Sequence, residues 1–371
     1  MKRVMYFPSR YIQGPGSIEE IGLHASSLGD CALAVGGKTA LSICGAAIET
    51  SLSAEKIRCH QALFRGVSSR KEVDRLSELA RSHGANIIVA LGGGASIDAA
   101  KAVAHEMNLP VIVVPTTVAT DGPGSALSVL YTEEGVFESY LYLRKNPDCV
   151  IMDTSIVAKS PAKFLVAGMG DAVAGFWETD TFARSGKTKS FSGGQVPTLA
   201  VLALSRLCYQ TLLESGYQAK LAVEKQVVTP ALEAIVEAIT LHSGLDSENG
   251  GHAGAHSIHN GLTALPATRG KLHGEKDAFG LLAQLVMEGR TSAEIREVQD
   301  FCFSIGLPIS LSELNLPDPT PEEIWLVAET AVAEGETIHA TWIPVTAAMV
   351  EAAILTADAL GSEYRKRQGP G

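Results

Sequence analysis

The chain has 371 residues, 46% of them hydrophobic and 19% charged, and no low-complexity tract, which excludes a disordered protein. That length exceeds what one hydrophobic core usually spans, so two domains are expected. A formal net charge of −11 argues against nucleic-acid or anionic-membrane partners, because binding to phosphate-rich surfaces needs excess Lys and Arg.

The first twenty residues hold no apolar core of signal-peptide length, and no later stretch approaches the roughly 20 uninterrupted apolar residues of a membrane span. A cytoplasmic protein is expected. From residue 31 to 160, short β-rich runs alternate with helical patterns. Cys31–Val35, Ile57–Phe64, Asn86–Leu91, Val111–Pro115 and Cys149–Met152 read as strands, with helices such as Arg70–His83 between them. Such alternation predicts a parallel, helix-covered sheet.

Lys159-Ser160-Pro161 supplies a helix start after the last strand. Beyond it the periodicity becomes helical: Lys163–Arg184, Thr198–Ser215, Lys220–Ser243 and Ala278–Glu288. The expected organisation is an α/β dinucleotide-binding domain over 1–160 and an all-α metal- and substrate-binding domain over 161–371, with a ligand cleft between the halves. Cys31, Cys44, Cys59, Cys149, Cys208 and Cys302 show no CxxC pairing and read as reduced packing residues. The basic run Arg365-Lys366-Arg367 reads as a solvated helix end, and Gly369-Pro370-Gly371 as a frayed terminus.

Within the first half, Ile87–Leu91 runs into Gly92-Gly93-Gly94 and then Ala95-Ser96-Ile97-Asp98, a buried strand, a triple glycine and a helix for which Ser96 could serve as N-cap. Glycines let a backbone approach a pyrophosphate without a Cβ clash, and a helix start offers unpaired N–H groups. The run is neither GxGxxG nor a P-loop, and a plain tight turn is the bland alternative. After the next strand, the segment from Pro115 to Tyr131 reads as a hydroxyl-rich loop at a strand's carboxyl end, where open α/β sheets bind ligands. It carries Thr116, Thr117, Asp121, Ser125, Leu127 and Tyr131.

In the second half, Asp171 reads as an acid at the start of an apolar helix. A buried carboxylate there needs a cation or hydrogen bonds, an N-cap being the bland alternative. Six of ten histidines follow residue 240. His252, His256 and His259 would share neighbouring faces of one helix, and His273 would open another. Two imidazoles and a carboxylate make a three-ligand site with an open position, the catalytic rather than the structural metal pattern.

These motifs, GGGASIDAAK, PTTVATDGPGSALSVLYTEEG, GMGDAVAG, AHSIHNGLTAL and HGEKDAFG, resemble those of the glycerol dehydrogenase family. That family lies within the iron-containing alcohol dehydrogenase superfamily, which also includes dehydroquinate synthase. The resemblance runs from about residue 5 to 360. It implies the dehydroquinate synthase-like fold and oxidation of glycerol or another small vicinal diol by hydride transfer to NAD, with NADP left open. It further implies a homo-oligomer and a divalent metal, zinc foremost and iron or another ion second. Asp171, His256 and His273 match metal ligands, His256 and Asp121 catalytic positions, and Asp121 the substrate-hydroxyl contact. Gly92, Gly93 and Gly94 match the pyrophosphate loop, and Asp98 is a further cofactor-binding position. Thr116, Ser125, Leu127 and Tyr131 match positions lining the nicotinamide and its ribose, with Thr117 a further cofactor-binding position.

Three departures matter. Gly37 stands where such chains carry an Asp for the adenosine ribose, Ala95 replaces a Lys after the triple glycine, and Ser247-Glu248-Asn249-Gly250-Gly251-His252 replaces Phe-Glu-Ser-Gly-Gly-Leu near the substrate. Gly175 occupies the fourth-ligand position of iron-using relatives, which favours a three-residue zinc site. His259 is a proton-relay candidate, with a structural helix histidine as the bland alternative. Rival functions are another small hydroxy-compound dehydrogenase, an NAD-using synthase of the dehydroquinate synthase type, and a non-catalytic nucleotide sensor.

Overall fold

The structure is a computed structural model that describes residues 1–187 and 190–368. The terminal Gly369-Pro370-Gly371, expected to fray, lies outside the described residues. Two compact units result. One contains Tyr6–Pro161 and Leu221–Gly244, the other Met1–Met5, Ala162–Lys220 and Leu245–Gly371.

In the first unit, six strands form an all-parallel sheet in the order β1-β8-β5-β4-β2-β3. They are β1 (Tyr11–Gly14), β2 (Cys31–Gly36), β3 (Arg58–Leu63), β4 (Ile87–Gly92), β5 (Val111–Pro115) and β8 (Cys149–Asp153). The central strands β2, β4, β5 and β8 are buried at every position, which is why they read as unbroken apolar runs rather than as alternation. Ile48 and Leu52 of the Lys38–Ala54 helix, Ile21, and the sheet residues Val89, Ile112 and Ile151 share one core. The edge strand β1 is four residues long and joins β8 in register from Tyr11 and Val150, a pairing too short to stand out in the sequence.

The expected hydroxyl-rich loop is corrected in its second half. Leu127–Tyr131 is a strand, β6, paired antiparallel with β7 (Phe137–Tyr142). Its burial alternates along the strand, the signature of a hairpin with one covered face. The expected helix Lys220–Ser243 is likewise divided. One helix spans Leu199–Glu224, and after a break at Thr229 a second runs Pro230–Glu237 and widens into a π-helical turn over Ala238–Ser243. Thr229 caps this second helix by accepting from the Leu232 N–H, and Pro230 fills the first position, where its missing N–H costs nothing.

The second unit is helical. The helices Ala162–Ser185, Gly254–Thr263, His273–Met287, Ser292–Ile305, Pro321–Ala331 and Ala347–Gln368 enclose Met169, Phe182, Ile258, Phe279 and Leu282. All six cysteines are free, and five of them are buried. No helix of the described residues is long and apolar enough to cross a membrane.

Candidate metal centre and nucleotide loop

The glycine loop follows β4 directly. Gly92 has φ +115, a conformation that L side chains rarely adopt, and a Cβ there would lie 2.7 Å from Ser96 Oγ. By contrast, a Cβ at Gly93 would meet only Thr117 Oγ1 at 3.8 Å, and one at Gly94 nothing within 4 Å. The backbone is therefore open above the start of the Gly94–Met107 helix, whose first-turn N–H groups have no intrahelical acceptor. Ser96 is not the N-cap. Gly93 holds that position, and buried Ser96 instead donates to Leu91 O at 2.6 Å and Gly93 O at 3.0 Å, tying the helix to the strand end.

The predicted cofactor residues gather around this helix. Thr116 N–H donates to Gly92 O at 3.0 Å. Buried Lys101 donates to Gly122 O and Ser125 O at 3.1 and 3.2 Å and lies 3.6 Å from Asp98. Burial raises the Asp98 pKa, while Lys101 and the Val129 N–H oppose that shift. Through this lysine the helix fixes the turn that carries Ser125 into β6, where Leu127 and Tyr131 follow. Asp121 precedes the same turn and accepts from Ser243 Oγ at 3.0 Å. Ser243 ends the π-helical turn, a distortion often found beside functional groups. Sequence pattern did not single out Ser243, because the π turn lies inside one continuous helical periodicity.

In the helical unit, Asp171 sits not at a helix start but ten residues into the Ala162–Ser185 helix. Glycines on this helix and the His273–Met287 helix face one another: a Cβ on Gly274 would lie 1.8 Å from Ala167 O, and one on Gly170 would lie 2.2 Å from Gly274 O. Glycines let the two helix backbones touch, and that contact sets Asp171 beside His273, which opens its helix as expected.

The resulting cluster contains Asp171, His256, His273 and a carboxylate the sequence pattern did not single out, Asp277, with one donor atom from each lying within 4.8 Å of the others. His256 Nε2 is 3.5 Å from Asp171 Oδ1, and His273 Nε2 is 3.6 Å from the same oxygen. A tetrahedral ion with donors at about 2.1 Å requires donor separations of about 3.4 Å, so the residues present fit a divalent metal.

A second missed carboxylate, Glu178, orients the cluster. Fully buried, it accepts from the Ala253 and His256 N–H groups at 2.8 and 3.1 Å through Oε1, while Oε2 lies 2.5 Å from His256 Nδ1. This is the outer carboxylate that holds a ligating imidazole in the tautomer with its Nε2 lone pair available. The spacing from Asp171, seven residues or two helical turns on the same face, was the available signal.

Burial disfavours charge on both histidines. Glu178, Asp277 and Asp171 nevertheless raise His256 well above its ordinary pKa, and Asp277 and Asp171 raise His273 to about 10. Burial likewise opposes ionisation of Asp171, but His273 and His256 pull its pKa below the usual carboxylate range. Without metal, protons on the imidazoles thus balance the buried carboxylates. A divalent ion can take over that role.

His252 is not on the His256 helix, which begins at Gly254, yet its ring stacks on His256 at 3.7 Å between centroids. Its Nε2 lies 2.7 Å from Ser247 Oγ. Burial and the neighbouring His256 lower its pKa to about 3, so it is a neutral hydrogen-bonding group. His259 lies outside the donor cluster. Its ring meets His273 edge-on at 4.1 Å, and Nδ1 is 3.1 Å from Asn260, which donates to Glu336.

Residues 8–154 match the model of the iron-containing alcohol dehydrogenase family. With full-length relatives well above 30% identity, the chain belongs to that family, whose members are metal-containing dehydrogenases. It is 45% identical to the glycerol dehydrogenase of Citrobacter freundii over 99% of this chain and 100% of that one. It is also 42% identical to the glycolaldehyde reductase of Halobacterium salinarum, over 99% of this chain and all of the other. The crystal structure of glycerol dehydrogenase from Schizosaccharomyces pombe superposes with a TM-score of 0.95 at 34% identity, covering 100% of this chain and 93% of that one.

Proposed function

We propose that this chain oxidises glycerol, or a related vicinal diol, to the hydroxyketone with NAD as hydride acceptor. The convergence of Asp171, His256 and His273 on one point carries the reading. These residues would hold a divalent ion, zinc in preference to iron. A three-ligand nitrogen and oxygen set with an open position suits zinc catalysis. The ion supplies Lewis acidity toward the alcohol hydroxyl, and NAD supplies the hydride acceptor.

The chain's own groups do the rest. Glu178 keeps the His256 proton on Nδ1. Asp121, oriented by Ser243, accepts a hydrogen bond from the neighbouring substrate hydroxyl and so fixes the reacting carbon. The backbone of the Gly92-Gly93-Gly94 turn, open at Gly93 and Gly94, would cradle the pyrophosphate at a helix N-terminus. Thr116, Ser125, Leu127 and Tyr131 would line the nicotinamide and ribose, with Asp98 and Thr117 as further cofactor-binding residues. Homo-oligomeric assembly in a reducing cytoplasm completes the reading, in keeping with the free cysteines.

The test follows absorbance at 340 nm with zinc-loaded enzyme, NAD or NADP, and glycerol, 1,2-propanediol or 2,3-butanediol. Chelator-sensitive turnover of a diol supports the reading. Silence with every diol, whatever the cofactor, overturns it. The Ser247–His252 pair favours a second reading, in which a more polar pocket serves a small hydroxyaldehyde. Reduction of glycolaldehyde in preference to diol oxidation would select it.

A further inference from the structure

We propose that Asp277 is itself a ligand of the metal, so that this chain builds a centre of two histidines and two aspartates. The inference rests on the reading of Asp171, His256 and His273 as metal ligands, which does not call on a fourth.

Asp277 lies one helical turn after His273 on the His273–Met287 helix and is completely buried. A buried carboxylate is costly unless something compensates its charge. Among the described residues, no backbone N–H and no hydroxyl donates to either of its oxygens. What faces them is imidazole nitrogen: His273 Nε2 at 2.7 Å and His256 Nε2 at 3.9 Å from Oδ2.

Glu178 engages Nδ1 of His256 and leaves its Nε2 for a metal, and His273 turns its Nε2 toward Asp171 and Asp277. Once an ion binds, both nitrogens turn lone pairs toward it and can no longer offer protons to Asp277. Its carboxylate would then be buried without a partner, unless the ion becomes that partner. Distances agree: the four histidine-to-carboxylate separations among Asp171, His256, His273 and Asp277 run from 2.7 to 3.9 Å, and all four donor atoms lie within 4.8 Å of one another. Those separations bracket the edge of about 3.4 Å of a four-donor tetrahedron, and the ion would expand to five-coordination to admit the substrate hydroxyl, as catalytic zinc can. The added oxygen donor broadens acceptance toward Mn2+ and Fe2+, which favour carboxylates more than zinc does.

The test uses full-length protein stripped of metal, with Zn2+ affinity read by competition against a chromogenic chelator and ligand field read from the visible spectrum of the Co2+ form. Asp277→Asn keeps the shape and removes the charge. It should weaken Zn2+ binding by at least about 100-fold, above the 10–100-fold typical of losing an orienting partner, and should shift the Co2+ bands. Unchanged affinity overturns the inference. Weaker binding with an unchanged Co2+ spectrum overturns it too, leaving Asp277 as a positioning residue for His273. If unsubstituted protein binds neither ion, the metal reading of the proposed function falls with it, whereas normal binding that is indifferent to Asp277→Asn sinks only the present inference. Should that variant fail to fold, a zinc-loaded crystal of the unsubstituted protein decides. An Asp277 oxygen within about 2.2 Å of the ion supports ligation, and one well beyond that range refutes it.

Discussion

Replacing Glu178 with Gln tests how the metal centre chooses its histidine tautomer. Oε1 of Glu178 accepts from two backbone N–H groups, and Oε2 faces His256 Nδ1. A glutamine has one acceptor oxygen and one donor nitrogen. If its oxygen serves the backbone, its NH2 points at Nδ1 and moves the imidazole proton to Nε2, where it blocks the metal. If the amide flips, NH2 confronts two buried N–H groups and leaves them unsatisfied. Either outcome costs about 1–3 kcal/mol, or roughly 5- to 150-fold in binding. Glu178→Gln should therefore weaken Zn2+ affinity about 10–100-fold, with helical content unchanged, as measured by chelator competition and circular dichroism. An affinity within twofold of the parent would refute the tautomer argument.

Other consequences follow from named contacts. Asp171→Asn should abolish diol-dependent NAD reduction and metal retention with little loss of fold, checked by absorbance at 340 nm, metal analysis and a thermal melt. Gly274→Ala places a methyl 1.8 Å from Ala167 O, so it should destabilise the helical unit by at least the roughly 1–3 kcal/mol typical of overpacking, read as a lowered urea midpoint. Burial pushes the Asp246 carboxyl up to about 8, against the opposing hydrogen bonds of Thr179 and Ser205. The folded protein then keeps a proton that the unfolded chain has already lost, so this group's contribution to stability falls between the ordinary aspartate pKa and about 8. The slope is at most about 1.4 kcal/mol per pH unit and should be absent in Asp246→Asn, as compared in urea melts at pH 5, 6 and 7.

Much of the fold was legible because its signals are local. The buried parallel strands are unbroken apolar runs, and Pro161 marks the entry to the helical portion. Less local features were not. Leu127–Tyr131 reads as the end of a hydroxyl-rich loop, and its pairing with Phe137–Tyr142 across the turn at Gly135 makes it a strand. At the site, clustered histidines and the matching motifs pointed to Asp171, His256 and His273, which the fold brings together. Glu178 and Asp277 passed as ordinary helical acids, since their meaning depends on which helix lies opposite. Asp171 lies inside a helix rather than at its start, and what places it there is equally non-local: the backbone of the neighbouring helix at Gly274 fills the space a side chain on Gly170 would occupy.

The Gly170–Gly274 contact also bears on the order in which this centre forms. Asp171 follows one of these glycines and His273 precedes the other, so their separation is set by two helix backbones in contact rather than by a loop closing around an ion. The cavity is then a product of folding rather than of metal binding, unlike a zinc finger, which needs its ion to fold. Metal should therefore be removable and exchangeable while the scaffold stands, with the folded apoprotein open to reloading with a different ion. Selection among ions accordingly falls to the donors themselves and to whichever metal the surroundings supply.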